Sequence, residues 1–224
     1  MDDGRLPTGA KELDHLLGGG VEPDCVTEFY GEAGSGKTIV CLELTRRVAL
    51  EGRWVFYIDT EGLSSERLRQ IAGPDLDRLV RHLWVATPKD LAEQTRAVRA
   101  ACAMTREARR PVGLIVVDSA TQYYRLALGG STEDDARFDL GLELAELVTT
   151  SLAHTVPVVV TNQVWRNPRD GRLEPLGGSY LAHAAKTIVR FEKVGPGVRR
   201  AILVKHRSRP EGSAEFRITS SGID

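Results

Sequence analysis

The stretch Gly31-Glu32-Ala33-Gly34-Ser35-Gly36-Lys37-Thr38 constrains this chain more than any other. It follows an apolar, β-prone run, Val26-Thr27-Glu28-Phe29-Tyr30, and precedes a helical pattern that runs to about Glu51. A strand, a glycine-rich turn and a helix in that order form a phosphate-binding loop. Glycines at 31, 34 and 36 let several backbone N–H groups converge on one anion, and the helix adds its positive end. Lys37 brings a full charge to the β- and γ-phosphates, and the Thr38 hydroxyl suits Mg²⁺. The expected ligand is a nucleoside triphosphate with Mg²⁺, held by Gly31, Glu32, Ala33, Gly34, Ser35, Gly36, Lys37 and Thr38.

With 224 residues the chain suits one α/β domain spanning 1–224, led in by residues 1–20. A net charge of −1 means that any nucleic-acid binding must come from local basic patches rather than a global field. Cys25, Cys41 and Cys102 have no metal-type spacing and read as reduced packing thiols. No apolar run is long enough for a signal peptide or a membrane span, so a cytoplasmic protein without membrane contact is expected.

Strands and helices alternate after the phosphate loop. Trp54 to Asp59, Leu83 to Ala86, Leu114 to Asp118 and Pro157 to Thr161 read as strands. Ser64 or Ser65 caps a short helix, Thr87-Pro88 opens a long one, and another runs from about Ala136 to Leu152. Thr187 to Phe191 and Ala201 to Val204 then read as an antiparallel hairpin, with Glu215 to Thr219 as an edge strand. The pattern predicts an α/β fold with a mostly parallel, twisted sheet flanked by helices and ending in that hairpin.

Asp118, an acid closing an apolar strand, is the expected second Mg²⁺ residue beside Thr38. Ile58-Asp59-Thr60-Glu61 closes another strand, where Glu61 can deprotonate an attacking water. Gln163, in Thr161-Asn162-Gln163, can touch a γ-phosphate and report its loss. The following loop, from Trp165 to Gly178, combines that tryptophan with Arg166, Arg169 and Arg172. The mixture suits single-stranded nucleic acid, and it equally suits a mobile surface loop. A second candidate loop runs from Tyr123-Tyr124-Arg125 to Arg137, with Glu133, Asp134 and Asp135 weakening it. Lys205 and Arg207, alternate residues of a strand, could reach a neighbouring subunit's triphosphate, or could be edge charges.

Together these segments resemble the RecA/RadA recombinase superfamily, and most closely its short archaeal RadA-paralogue branch. The resemblance rests on Thr8-Gly9, Leu13-Asp14 and Leu16-Leu17-Gly18-Gly19-Gly20, then the phosphate loop, Asp59-Thr60-Glu61-Gly62, Val117-Asp118-Ser119, Thr161-Asn162-Gln163-Val164 and Gly177-Gly178. It also covers Lys205 to Gly212 and Phe216-Arg217-Ile218-Thr219. It implies a RecA-like P-loop NTPase core with Glu61 as base, Gln163 as γ-phosphate sensor and Arg67 packing on adenine. It further implies that the loops at 125–137 and 165–178 bind DNA, single-stranded or branched. The implied role is an accessory in homologous recombination and DNA repair: a weak ATP hydrolase without strand exchange of its own, partnered by a RadA-type recombinase and other repair proteins. Self-association stays open. The separate N-terminal DNA-binding domain and the aromatic-x-x-Ala segment of full recombinases are missing, so long filaments are not expected. Basic residues also stand near position 205, where that branch places an acid. A KaiC-like regulatory ATPase working through protein contacts is the alternative, and a small-molecule kinase has no need of Glu61.

Overall fold

In the computed structural model, which describes residues 4–107, 111–167, 171 and 173–224, apolar strands stack into one twisted sheet with helices on both faces. The chain runs α1 (Lys11–Leu17), β1 (Val26–Gly31), α2 (Lys37–Leu50), β2 (Trp54–Asp59), α3 (Ser65–Ala72) and α4 (Leu76–Val80). It continues with β3 (Leu83–Ala86), α5 (Leu91–Glu107), β4 (Val112–Asp118), α6 (Gln122–Ala127), α7 (Glu133–His154) and β5 (Val158–Asn162). It closes with β6 (Val164–Arg166), β7 (Leu173–Pro175), α8 (Gly178–Ala184), β8 (Ala185–Gly195), β9 (Val198–Lys205) and β10 (Gly212–Arg217).

The main sheet has eight strands in the order β10-β9-β8-β1-β5-β4-β2-β3. From β3 to β8 the neighbours are parallel, and β8-β9-β10 are antiparallel, as the sequence pattern predicts. Continuous apolar runs such as Leu114–Val117 and Val158–Val160 are buried because helices cover both faces. One core gathers α1, α2, α3 and α4 around Phe29, Tyr57 and Phe191; the other gathers α5, α6, α7 and α8 around Ile58, Ile115 and Leu140. Among the described residues, no helix is long and apolar enough to cross a membrane. Cys25, Cys41 and Cys102 are free and buried, as expected of packing thiols.

Several local expectations change. Ser64 does cap α3, accepting from Arg67 N at 3.1 Å. Thr87-Pro88 does not open α5. Asp90 does so instead: its carboxylate accepts from Glu93 N at 2.7 Å, while Glu93 accepts from Lys89 N at 2.9 Å, a reciprocal cap that a threonine ahead of proline cannot form. Helix α7 begins at Glu133 rather than near Ala136, because Glu133, Asp134 and Asp135 stabilise the positive end of a helix. The stretch after β5 is no open loop: β6 and β7 pair antiparallel, with Trp165 opposite Glu174.

The α5–α7 seam holds a buried acid. Glu143 accepts from Gln94 Nε2 at 2.8 Å and lies 2.6 Å from Thr95 Oγ1. Gln94 Nε2 also donates to Ala120 O at 3.1 Å, so this contact joins both helices to the turn after β4. Burial, against the pull of the Thr95 and Gln94 hydrogen bonds, raises the Glu143 carboxyl to about 7.

Candidate functional site

The central strand β1 delivers the phosphate loop between β5 and β8. Only glycine fits where that loop begins: a Cβ on Gly31 would stand 2.3 Å from the Phe191 carbonyl oxygen of β8. Gly36, at φ 106°, turns the chain into α2 in a conformation that side chains rarely adopt. The Ser35 hydroxyl is buried without a partner among the described residues. Lys37, also buried, donates through Nζ to Gly31 O at 2.8 Å and Glu32 O at 3.2 Å. Burial lowers its pKa, opposed by the carboxylates of Glu61 and Asp118.

Asp118 ends β4 beside this lysine. Its Oδ2 accepts from Tyr57 Oη at 2.6 Å and its Oδ1 from Thr161 Oγ1 at 2.5 Å, with a further bond from Thr38. Burial raises its pKa, while those three donors pull it back. The structure therefore brings Thr38 and Asp118 together. Hydroxyl and carboxylate oxygens are hard donors, and this pair fits Mg²⁺.

Glu61 owes its position to Asp59, a residue the sequence reading gave no role. The Asp59 carboxylate accepts from Glu61 N, Gly62 N and Leu63 N at 3.2, 2.9 and 2.6 Å. An aspartate followed at once by Thr-Glu-Gly is a turn signature that could have revealed it. Gln163 Nε2 then donates to Glu61 Oε1 at 2.7 Å and to Gln122 Oε1 at 2.6 Å. Gln122, on α6, was also missed, and nothing in the sequence marks it.

Of these groups, Lys37, Glu61, Gln122 and Gln163 line one cavity of about 500 Å³. Gly31, Glu32, Ala33 and Lys37 form its loop wall, and Thr60 and Glu61 the wall from β2. Gln122, Arg125 and Gln163 form the third side, where Val164 and Leu173 of the β6–β7 hairpin close in. The hairpin root is fixed from within the sheet. Asn162 Nδ2 donates to Glu28 Oε1 at 2.7 Å and to Leu176 O at 2.8 Å, and Leu176 N donates to Gln163 O at 3.0 Å. Burial raises the Glu28 carboxyl to about 7 against the pull of Asn162.

The remaining expected residues fall elsewhere. Arg67 donates to Ser220 O and Thr219 O at 2.9 and 2.8 Å, bracing the C-terminal turn. Trp165 is 41% exposed on β6, and Arg166 donates to Gly171 O at 2.8 Å across the hairpin. Arg169 and Arg172 lie outside the described residues. Arg125 and Arg137 are not on a loop, which corrects the 125–137 reading. Arg125 sits on α6 at the cavity, and Arg137 sits on α7, paired with Glu133 at 2.6 Å one helical turn away. Lys205 and Arg207 do not project side by side from a strand, because β9 ends at Lys205. Lys205 Nζ donates to Ala182 O and Ala185 O at 2.6 and 2.7 Å, satisfying the C-terminal end of α8. Arg207 pairs with Glu22 at 3.0 Å and with Asp24, and its guanidinium holds Asp24 below the usual carboxylate pKa.

Sequence comparison agrees with this geometry. A family model described as Rad51 matches residues 4–224. "DNA repair and recombination protein RadB" of Methanococcoides burtonii is 43% identical over 223 residues, covering 98% of this chain and 97% of that protein. The proteins of the same name from Halobacterium salinarum and Archaeoglobus fulgidus are 42% and 40% identical, covering 100% and 98% of this chain and 96% and 97% of their own. By the family match and by these full-length relatives, the chain belongs to the Rad51 family and, within it, to the RadB proteins.

Proposed function

We propose that the chain is an ATP- and DNA-binding accessory of recombination and DNA repair, with slow Mg²⁺-dependent ATP hydrolysis. One observation carries the reading: Lys37, Glu61 and Gln163 share a cavity with the root of an exposed hairpin. The loop amides, the unpartnered Ser35 hydroxyl and Lys37 would bind the phosphates, while Thr38 and Asp118 would hold the magnesium ion. When bound, that ion neutralises charge on the phosphoryl oxygens. Glu61 would accept the proton of an attacking water. Its Oε1 is held by the Gln163 amide, which competes with that water and keeps turnover low.

Strand alternation supports a link from nucleotide to DNA. Val164 faces the cavity, so Trp165 points the other way, into solvent. An exposed indole followed in the chain by Arg166 suits stacked bases and phosphates of single-stranded DNA. A RadA-type recombinase and further repair proteins are the proposed partners; the relatives' name, "DNA repair and recombination protein RadB", supports the repair setting and names no partner.

Binding to single-stranded DNA across a salt series tests the DNA half. Affinity should fall steeply with salt, and Trp165→Ala should weaken binding by roughly 10-fold or more. Absence of binding at low salt, or binding without salt dependence, would remove DNA from the account.

A further inference from the structure

Helix α6 presents two residues to the nucleotide cavity, Gln122 and Arg125, one turn apart on the same face. Gln122 is bonded to Gln163, which fixes this face of the helix against the end of β5. Tyr123, on another face, donates to Pro88 O at 2.6 Å, and Tyr124 is buried in the core, so α6 is anchored on three sides. Arg125 differs from Arg137 and Arg106, which are held by carboxylates. Arg137 and Arg106 pair with Glu133 and Glu146, whereas among the described residues no carboxylate or carbonyl occupies the Arg125 guanidinium.

The charges around the cavity give that guanidinium a use. The loop wall carries Lys37 and Glu32, the β2 wall carries Glu61, and Arg125 is the only charge on the α6 wall. A diphosphate seated on the loop is served by the backbone amides and Lys37. A terminal phosphoryl group adds charge on the side away from the loop, towards Glu61 and Gln163. Lys37 serves that group from the loop side, and Arg125 sets a second positive charge on the opposite wall, where the Glu61 carboxylate would otherwise repel it.

We propose that Arg125 contacts the terminal phosphoryl group from within the same chain and so makes the site selective for nucleoside triphosphates over diphosphates. This rests on the reading of the cavity as an ATP site, and it moves Arg125 from the DNA-binding set to the nucleotide set. Contact through α6 also reaches the segment from Leu128 to Thr132 that leads into α7.

Equilibrium binding of a non-hydrolysable ATP analogue and of ADP, each with Mg²⁺, tests the assignment in the wild type, Arg125→Ala and Arg125→Lys. Arg125→Ala should lose roughly 10- to 100-fold in analogue affinity, the range of a charge-assisted hydrogen bond, while ADP affinity stays within about twofold. Arg125→Lys should recover part of the loss, since a point charge replaces the fork. ADP binding also reports that the variants are folded. An unchanged ratio of analogue to ADP affinity, with nucleotide-free DNA binding reduced instead, would overturn the proposal and return Arg125 to DNA. Equal loss of both nucleotides would overturn it too. A wild-type protein that binds neither nucleotide would end the ATP reading itself, and the proposal with it.

Discussion

Glu61→Gln should lower ATP turnover by roughly 10²- to 10⁴-fold, the usual contribution of a general base, and leave nucleotide affinity within about twofold. The substitution keeps the volume and the acceptor that Gln163 Nε2 contacts at 2.7 Å. The backbone of the turn is untouched, because the Asp59 carboxylate holds Glu61, Gly62 and Leu63 through their main-chain N–H groups. What disappears is the ability to take a proton. Steady-state phosphate release and equilibrium nucleotide binding separate the two effects. Unchanged turnover would remove Glu61 from the base position, and joint loss of binding and turnover would show that it shapes the site instead.

Glu143→Gln should make the protein more stable above neutral pH. The Glu143 carboxyl rises from an ordinary 4.5 to about 7 on folding because burial disfavours its charge, with no cation bonded to it. Between those values the native state holds a proton that the unfolded chain has released. Stability therefore falls as pH climbs from about 4.5 towards about 7 and levels off above. Glutamine can accept from Gln94 and donate to Thr95, whose own hydroxyl then serves Leu91 O. At about pH 8 the variant should gain up to about 3 kcal/mol over wild type, shrinking to less than about 1 kcal/mol near pH 5. Glu28 carries the same sign and remains in both proteins, so the difference isolates Glu143. Urea unfolding at both pH values measures it, and a stability gap independent of pH would contradict the assignment.

The two substitutions probe parts of the chain that differ in how far their sequence gives them away. The placement of Lys37, Thr38, Asp118 and Glu61 around one strand-end site was readable, because a glycine-rich turn before a helix and acids closing apolar strands fix where such residues stand. The parallel sheet was readable from runs such as Leu114 to Val117, whose burial on both faces leaves no alternation. Helix α6 and the β6–β7 hairpin were not. Both are short, and contacts remote in sequence set them, as where Asn162 reaches Leu176 and Glu28. The fates of Lys205 and Arg207 also depended on distant partners, Ala182 and Ala185 for one and Glu22 and Asp24 for the other. For Thr87-Pro88 the local signal was real, but Asp90 and Glu93 made a better cap three residues later.

Every role proposed for Lys37, Glu61, Gln163 and Arg125 requires that the cavity beside the phosphate loop take the triphosphate of ATP. Equilibrium ATP binding with Mg²⁺, in wild type and Lys37→Ala, tests that claim most directly. Saturable binding by the wild type and a loss of at least roughly 10-fold in the variant are predicted, since a charge-assisted contact disappears. Equal affinity in the two proteins, or no binding by either, would contradict it.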